Sequence, residues 1–174
     1  MDKVPDAYGD FWNYLSQNQK DLMMEGDYLM NEVIRHGNYS FKDYSFLIFP
    51  FAKAFEGYLK RLFLDAGFIS HLDYVSDHLR LGKMMSPHLV SNLGDRSLYK
   101  QVWMATTKDL ADRVWETWKL GRNQVFHYFP HNTKGVSFED AERIINQLVQ
   151  TMKEVHEQLH GKLKQHPNPP ETKP

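Results

Sequence analysis

Three polar residues near the end of a tryptophan-rich helical pattern have the types and the spacing that acid–base chemistry at a phosphate requires. Arg122, Asn123 and His127 lie within LGRNQVFHYFP, residues 120–130. Arginine stays charged and offers a bidentate fork that matches phosphate oxygens, and histidine gives or takes protons near neutral pH. Asn123 precedes His127 by one helical turn, so it can hold the imidazole or donate to the phosphate. The set needs no metal ion for this chemistry.

The same three residues also have a purely structural interpretation. Arginine and protonated histidine complement the negative C-terminal end of a helix, whatever the protein does. A chain of this composition contains Arg-Asn-x3-His about 0.02 times by chance, so a chance occurrence is uncommon. We favour a catalytic role over a non-catalytic helix end, and both interpretations stay open at this point.

The helix that must position these residues is predicted to run from 108 to 127. Its apolar residues step by three or four and form one buried stripe: Leu110, Val114, Trp118, Gly121 and Val125. On a helical wheel Arg122 lies about 60° from the centre of the stripe, at its flank. Asn123 and His127 lie roughly opposite the stripe. The wheel therefore directs His127 toward solvent or another molecule, and not into the core of its own bundle.

A second helix is predicted from 43 to 66. Gly67 is expected to end it, as glycine commonly does just past a helix C-terminus. Pro50 lies inside the helical pattern and is expected either to kink the helix or to delay its regular start.

Polar residues on this second helix are candidates for assisting the motif. Lys53, Glu56 and Lys60 share one face at spacings of three and four. Such a stripe is most often a solvated face, which is the interpretation we favour. We keep Glu56 and Lys60 as auxiliary candidates from a helix that faces the motif, and Tyr128 as a third. Phe126 and Tyr128 lie outside the buried stripe, so they are the aromatic residues that could stack on nucleobases.

Helical periodicity dominates the rest of the chain. Residues 6–35 suit one long helix or two shorter ones, and residues 36–40 are a break. Residues 70–106 predict one or two short helices, near 71–80 and 97–105, with MMSPHLVSNLGD between them as a loop. No stretch predicts a strand. The expected architecture is therefore an all-α antiparallel bundle of four to six helices.

Ser137 and Asp140 resemble a capping box that opens the final helix, after a loop at 129–135. The apolar residues of this helix keep a heptad spacing: Phe138, Ala141, Ile145, Leu148, Met152, Val155 and Leu159. The heptad suits either a dimerisation seam or packing within the bundle. His156 and His160 lie on the same helix, where we expect a solvated face and not a metal site.

Composition bounds the class of protein. The chain has 174 residues, 41% of them hydrophobic, which predicts one folded domain over 1–164 and a disordered proline-rich tail over 165–174. A net charge of −1 neither demands nor excludes a nucleic acid. There are no cysteines, which excludes disulfides and thiolate metal sites.

Without a signal-peptide pattern or a transmembrane run, we expect a cytoplasmic protein with no membrane partner. Nucleotide-binding glycine motifs are also missing, and we expect neither a cofactor nor a metal.

Arg122-Asn123 followed by His127, at the end of the penultimate helix of a small all-α domain, resembles the hallmark of the HEPN superfamily (higher eukaryote and prokaryote nucleotide-binding domains). A vaguer likeness spans about residues 45–150. There FPFAKAFEGYLKRLF, RNQVFHY and EDAERIINQLV together look like HEPN toxins of the RNase LS group. Of these features, only the short motif is specific.

The resemblance implies a metal-independent endoribonuclease, of toxin or phage-defence type, that acts as a homodimer with two motifs meeting across the interface. It implies an RNA substrate and points to an antitoxin or other regulatory protein. Under this resemblance Arg122 binds the scissile phosphate, His127 acts as acid or base, and Asn123 orients them. HEPN toxins controlled by AMP transfer carry a tyrosine two residues after the histidine, where this chain has Phe129, so we do not expect that regulation. The alternative is a non-catalytic HEPN-like helical module that binds a nucleotide or a protein partner.

Overall fold

The computed structural model describes residues 10–123, 125–126 and 135–161. Within these ranges the chain is helical and has no strand, which confirms the predicted all-α class. The α-helices are α1 (Gln17–Tyr28), α2 (Ser45–Asp65), α3 (His71–Val75), α4 (Leu81–Met84), α5 (Val90–Leu93), α6 (Leu98–Ala105), α7 (Lys108–Trp118) and α8 (Phe138–Val155). None of the helices in the described ranges combines the length and the apolar run that a membrane span requires. The predicted tail, 165–174, lies outside the described residues.

The N-terminal helical pattern is divided into shorter pieces, as one of the two alternatives predicted. A 3-10 helix at Asp10–Tyr14 precedes α1, and a π-helix at Leu29–Ile34 follows it. Ser16 starts α1 with a reciprocal capping box. Its Oγ accepts the N–H of Gln19 at 3.3 Å, and its own N–H donates to Oε1 of Gln19 at 2.9 Å.

α2 begins at Ser45 and continues through Pro50, so of the two predicted effects of Pro50 the delayed start is wrong, and the kink stays a prediction. Asp43 explains the early start, because its Oδ1 accepts the N–H of Ser45 at 2.9 Å. Pro50 lies in the second turn of α2, so its missing N–H removes only one hydrogen bond, near the start of the helix. The predicted stop is confirmed: Gly67 has a positive φ of 70°, and the N–H of Phe68 returns to a carbonyl of the last turn at 2.8 Å.

The segment between α3 and α6 contains more helix than predicted. MMSPHLVSNLGD, expected to be a loop, contains α5 flanked by 3-10 helices at Pro87–Leu89 and Gly94–Arg96. Pro87 starts a helical turn here, as proline can at a first helical position, and Gly94 ends α5 with a φ of 56°. Pieces of three or four residues are too short to show an apolar period, so residue types that usually mark loops dominated the prediction.

Two compact units make up the chain, Met1–Tyr58 with Glu116–Lys153 and Leu59–Trp115 with Glu154–Pro174. Each has its own buried apolar side chains. Those of the first unit include Phe11, Met23, Leu47, Phe51, Phe55, Trp118, Ile145 and Leu148. Those of the second include Leu62, Phe63, Leu81, Leu98, Val102, Leu110, Val114 and Leu159. A single folded domain over 1–164 stays a prediction.

The heptad stripe of α8, which continues into a π-helix at His156–His160, is buried within the chain. Phe138 at its start is half-buried, and the six apolar residues that follow are at most 3% exposed: Ala141, Ile145, Leu148, Met152, Val155 and Leu159. Packing within one copy of the chain therefore accounts for the heptad, and these side chains are not available to a second copy.

The start of α8 offers a direct test of local stability. The Oγ of Ser137 accepts the N–H of Asp140 at 3.0 Å, as the capping-box prediction requires. The Ser137 hydroxyl in turn donates to Oδ2 of Asp140 at 3.2 Å. We expect Ser137→Ala to lower the free energy of unfolding by about 1 kcal/mol, because it leaves an N–H at the helix start without its cap. Urea denaturation measures this loss. Ser91→Ala, at an exposed serine of α5, is the control, and an equal effect of both changes would contradict the capping role.

Candidate active site around Arg122

The end of α7 departs from regular α-helix at the motif. After Trp118 the chain continues as a π-helix over Lys119–Asn123, and the N–H of Phe126 then bonds to the carbonyl of Arg122 at 3.0 Å. A π-turn is wider than an α-turn and advances each residue less around the axis. The predicted wheel assumed a regular helix, so its angles for Arg122 and Asn123 do not hold. Short π-helical turns of this kind are frequent at functional sites.

Gly121 lets the π-turn lie directly against α8. It is buried, and a Cβ at this position would lie 2.9 Å from Cδ2 and 3.2 Å from Cδ1 of Leu148. Leu148 is 1% exposed, so its side chain has no free space into which it could retreat. The predicted stripe is thus confirmed as buried for Leu110, Val114, Trp118 and Gly121, whereas Val125 is only half-buried.

Gly121→Ala should therefore disturb both the fold and the site. We expect the overpacking to lower the free energy of unfolding by about 1–3 kcal/mol and to displace Arg122, the next residue. Thermal or urea unfolding measures the first effect. Gly161→Ala is the matched control, because a Cβ there meets nothing within 4 Å. That change should be neutral or stabilising by up to about 1 kcal/mol. Equal stability of the two variants would contradict the close packing at Gly121.

Two neighbours hold the guanidinium of Arg122. Its Nη2 lies 3.3 Å from Oε2 of Glu56, and its central carbon lies 5.0 Å from the ring centroid of Trp118, which is itself 2% exposed. The Arg122 side chain remains 47% exposed and that of Glu56 24% exposed. An ion pair this accessible contributes little to stability, of the order of 1 kcal/mol or less. Its main consequence is geometric, because the ion pair and the cation–π contact together orient the guanidinium.

A cavity of about 370 Å³ opens beside this guanidinium. The side chains that line it are Phe49, Ala52, Lys53, Glu56, Arg122 and Phe126. Phe126 is 40% exposed, and its ring meets that of Phe49 edge-to-face at a centroid distance of 5.6 Å. The Nζ of Lys53 lies 5.8 Å from the Phe49 centroid. The cavity thus combines two cations and one carboxylate with two accessible aromatic rings, a set that can bind a phosphate beside a planar base.

The structure brings together only part of the predicted site. Arg122 and Glu56 are in contact, so the predicted solvated face is wrong for Glu56. Asn123 is half-buried as the last residue of the π-helix, and Lys60 is half-buried on the next turn of α2, within the second unit. His127 and Tyr128 lie outside the described residues.

The sequence prediction missed Phe49 as a residue of this cavity. The signal that could have found it is its spacing on α2, where Phe49 precedes Lys53 by four residues and Glu56 by seven, on one helix face. The prediction for the π-helix that follows α8 also needs correction. His156 and His160 are half-buried and their rings stack at 4.4 Å, so they do not form a simple solvated face.

The described part of the site can hold a phosphate group through an oriented arginine and leave room for an aromatic base. A proton donor or acceptor that works near neutral pH is also required for chemistry at that phosphate. In the sequence, His127 directly follows Phe126. No family model, no characterised protein and no solved structure matches this chain.

Proposed function

We propose that this protein is a metal-independent endoribonuclease of the HEPN type. The observation that carries the proposal is the placement of Arg122. Its guanidinium is oriented by Glu56 and Trp118 at the edge of a cavity with accessible aromatic rings, five residues before His127 in the sequence. The Arg-Asn-x3-His pattern, which resembles that of HEPN ribonucleases, supplies the reaction type.

Arg122 is the proposed phosphate-binding residue. A guanidinium has five N–H donors, and the pair with Glu56 involves one of its terminal nitrogens. With 47% of the side chain exposed, donors remain for two oxygens of a scissile phosphate. Lys53 in the same cavity adds positive charge for the adjacent nucleotide.

His127 is the proposed acid–base residue, and Asn123 the residue that orients it. A base takes the proton from the 2′-OH, whose oxygen attacks phosphorus as the bond from phosphorus to the 5′-oxygen breaks. An acid protonates that leaving oxygen. The products are a 2′,3′-cyclic phosphate and a 5′-hydroxyl, with no metal ion needed in the balance. In a homodimer two copies of His127, one from each chain, supply the acid and the base.

The biological role follows from the resemblance alone. Toxins of the HEPN type cleave cellular RNA, and an antitoxin or a regulatory protein restrains them. We propose the same cytoplasmic role here, as a toxin or phage-defence effector.

A second candidate is a non-catalytic helical module that docks a nucleotide or a protein partner on this face. The contact between Arg122 and Glu56 favours it, because a carboxylate competes with phosphate for the same guanidinium.

The experiment is cleavage of an end-labelled RNA of mixed sequence by the wild-type chain, once with EDTA and once with Mg²⁺. The proposal predicts equal rates in both and a dimer in sedimentation. Cleavage that requires Mg²⁺ would contradict the metal-free mechanism. A folded chain that binds RNA or a nucleotide but leaves RNA intact would favour the docking module instead.

A further inference from the structure

Exposed aromatic rings of the first unit form a cluster. The rings are Tyr39, Phe41, Phe46, Phe49 and Phe126, which we call the aromatic strip, and they are between 37% and 72% exposed. Rings are in contact in two groups: in the first, Tyr39 meets Phe41 at a centroid distance of 4.8 Å, and Phe41 meets Phe46 at 5.1 Å. Phe46 and Phe49 are three residues apart on α2 and so share a helix face. In the second group, Phe49 meets Phe126 at 5.6 Å.

An arginine-bearing cavity adjoins each end of the strip. At one end is the cavity of Arg122 and Lys53. At the other end, Tyr39 helps to line a cavity of about 340 Å³ that also contains Arg35. The Arg35 guanidinium lies 5.4 Å from the ring centroid of Phe138 and pairs with Glu142. Each arginine is thus oriented by one aromatic ring and one carboxylate.

The charges along the strip are suited to a polyanion. Lys53 is exposed beside Phe49, and the exposed Lys42 follows Phe41 in the sequence, in addition to the two arginines at the ends. The carboxylate of Asp43, next to Lys42 in sequence, accepts the N–H groups of Ser45 and Val136 through Oδ1 and keeps its negative charge. The four cations thus exceed the three carboxylates of Asp43, Glu56 and Glu142 by one positive charge. Aromatic rings interleaved with cations are the pattern by which proteins bind unpaired nucleic acid, with bases on the rings and phosphates on the cations.

We propose that the aromatic strip is a binding track for unpaired nucleotides, and that the substrate of this protein is single-stranded RNA. The inference rests on the proposed function, whose scissile phosphate lies at Arg122. Nucleotides adjacent to that phosphate stack on Phe49 and Phe126, and the strand continues over Phe46 and Phe41 toward Arg35. Duplex RNA cannot use the track, because its bases are already paired and stacked.

The test measures binding without cleavage. A short fluorescent 2′-O-methyl RNA has no 2′-OH to attack, so its affinity for the wild-type chain is measurable by anisotropy. Phe49→Leu keeps an apolar side chain but removes the ring face at a position that is 51% exposed. We expect it to weaken binding about 5- to 150-fold, the range measured for loss of one stacked base. Trp103→Leu, at an aromatic residue of α6 that is 42% exposed and outside the strip, should leave the affinity unchanged.

Two further measurements sharpen the test. The same oligonucleotide annealed to its complement should bind at least tenfold more weakly than the single strand. Lys53→Gln should lower the slope of log affinity against log salt by about 1, because one phosphate contact is lost.

Several outcomes would overturn the proposal. They are equal affinities of wild type and Phe49→Leu, equal affinities for single strand and duplex, and dissociation of a dimer by Phe49→Leu while RNA affinity stays unchanged. The last outcome would make the strip an interface between copies of the chain. Failure of the two proposals is distinguishable. A ribonuclease unaffected by Phe49→Leu disproves only the track. Single-strand binding that requires Phe49, without cleavage of ordinary RNA, disproves the enzyme and its substrate but leaves the strip as a binding track.

Discussion

His127→Ala is expected to slow RNA cleavage about 10²- to 10⁴-fold, the range typical for loss of a general acid or base. The effect should appear in kcat more than in KM, because the imidazole acts on protons that move only in the transition state. Rates on labelled RNA in EDTA measure it, after circular dichroism shows matched folding. His88→Ala is the control, since His88 is exposed in the 3-10 helix at Pro87–Leu89. Equal cleavage rates for His127→Ala and His88→Ala would contradict the acid–base role of His127.

Arg122→Ala should reduce cleavage about 10²- to 10³-fold, as loss of one preorganised donor to the reacting phosphate typically does. Its matched control is Arg113→Ala. Arg113 pairs with Glu154 at 3.0 Å, and the exposures of the two pairs are alike: 54% and 22% for Arg113 and Glu154, against 47% and 24% for Arg122 and Glu56. Both changes should cost similar, small amounts of stability, so only the change at Arg122 should affect activity.

Arg122→Lys adds a second arm to this comparison. Lysine keeps the charge but loses the planar fork and the stacking on Trp118. We expect an activity between those of wild type and Arg122→Ala. Equal activity of Arg122→Ala and Arg113→Ala would show that the guanidinium at the cavity does not contact the phosphate.

Helices long enough to show a repeat of apolar residues every three or four positions were predictable from the sequence. The apolar stripe of α8 and its cap at Ser137 needed only local rules, because the burial pattern and the hydrogen bond lie within the same few residues. The exact form of the end of α7 was not predictable in this way. Its π-turn lies where Gly121 closely approaches Leu148, a contact between residues distant in the chain.

In the candidate site, too, local features were predictable from the sequence, and contacts between helices were not. Residue types alone indicated Arg122 as a phosphate ligand, and the spacing of α2 placed Glu56 on a face that could meet it. Whether Glu56 is solvated or paired depends on how two helices pack. The residue spacing within one helix does not predict that packing. For the same reason the sequence does not predict the contact between Phe49 and Phe126, although it indicates Phe126, with Tyr128, as a ring outside the buried stripe.

The most direct test of the proposed chemistry is the identity of the RNA ends that the wild-type chain produces in EDTA. Attack by the 2′-oxygen predicts a 2′,3′-cyclic phosphate on one fragment and a 5′-hydroxyl on the other, both missing when His127→Ala is used. A contaminating or metal-dependent nuclease that leaves 5′-phosphates would be recognised at once by its ends. Intact RNA after incubation with the folded wild-type chain, or cyclic phosphate formed equally by His127→Ala, would contradict the account.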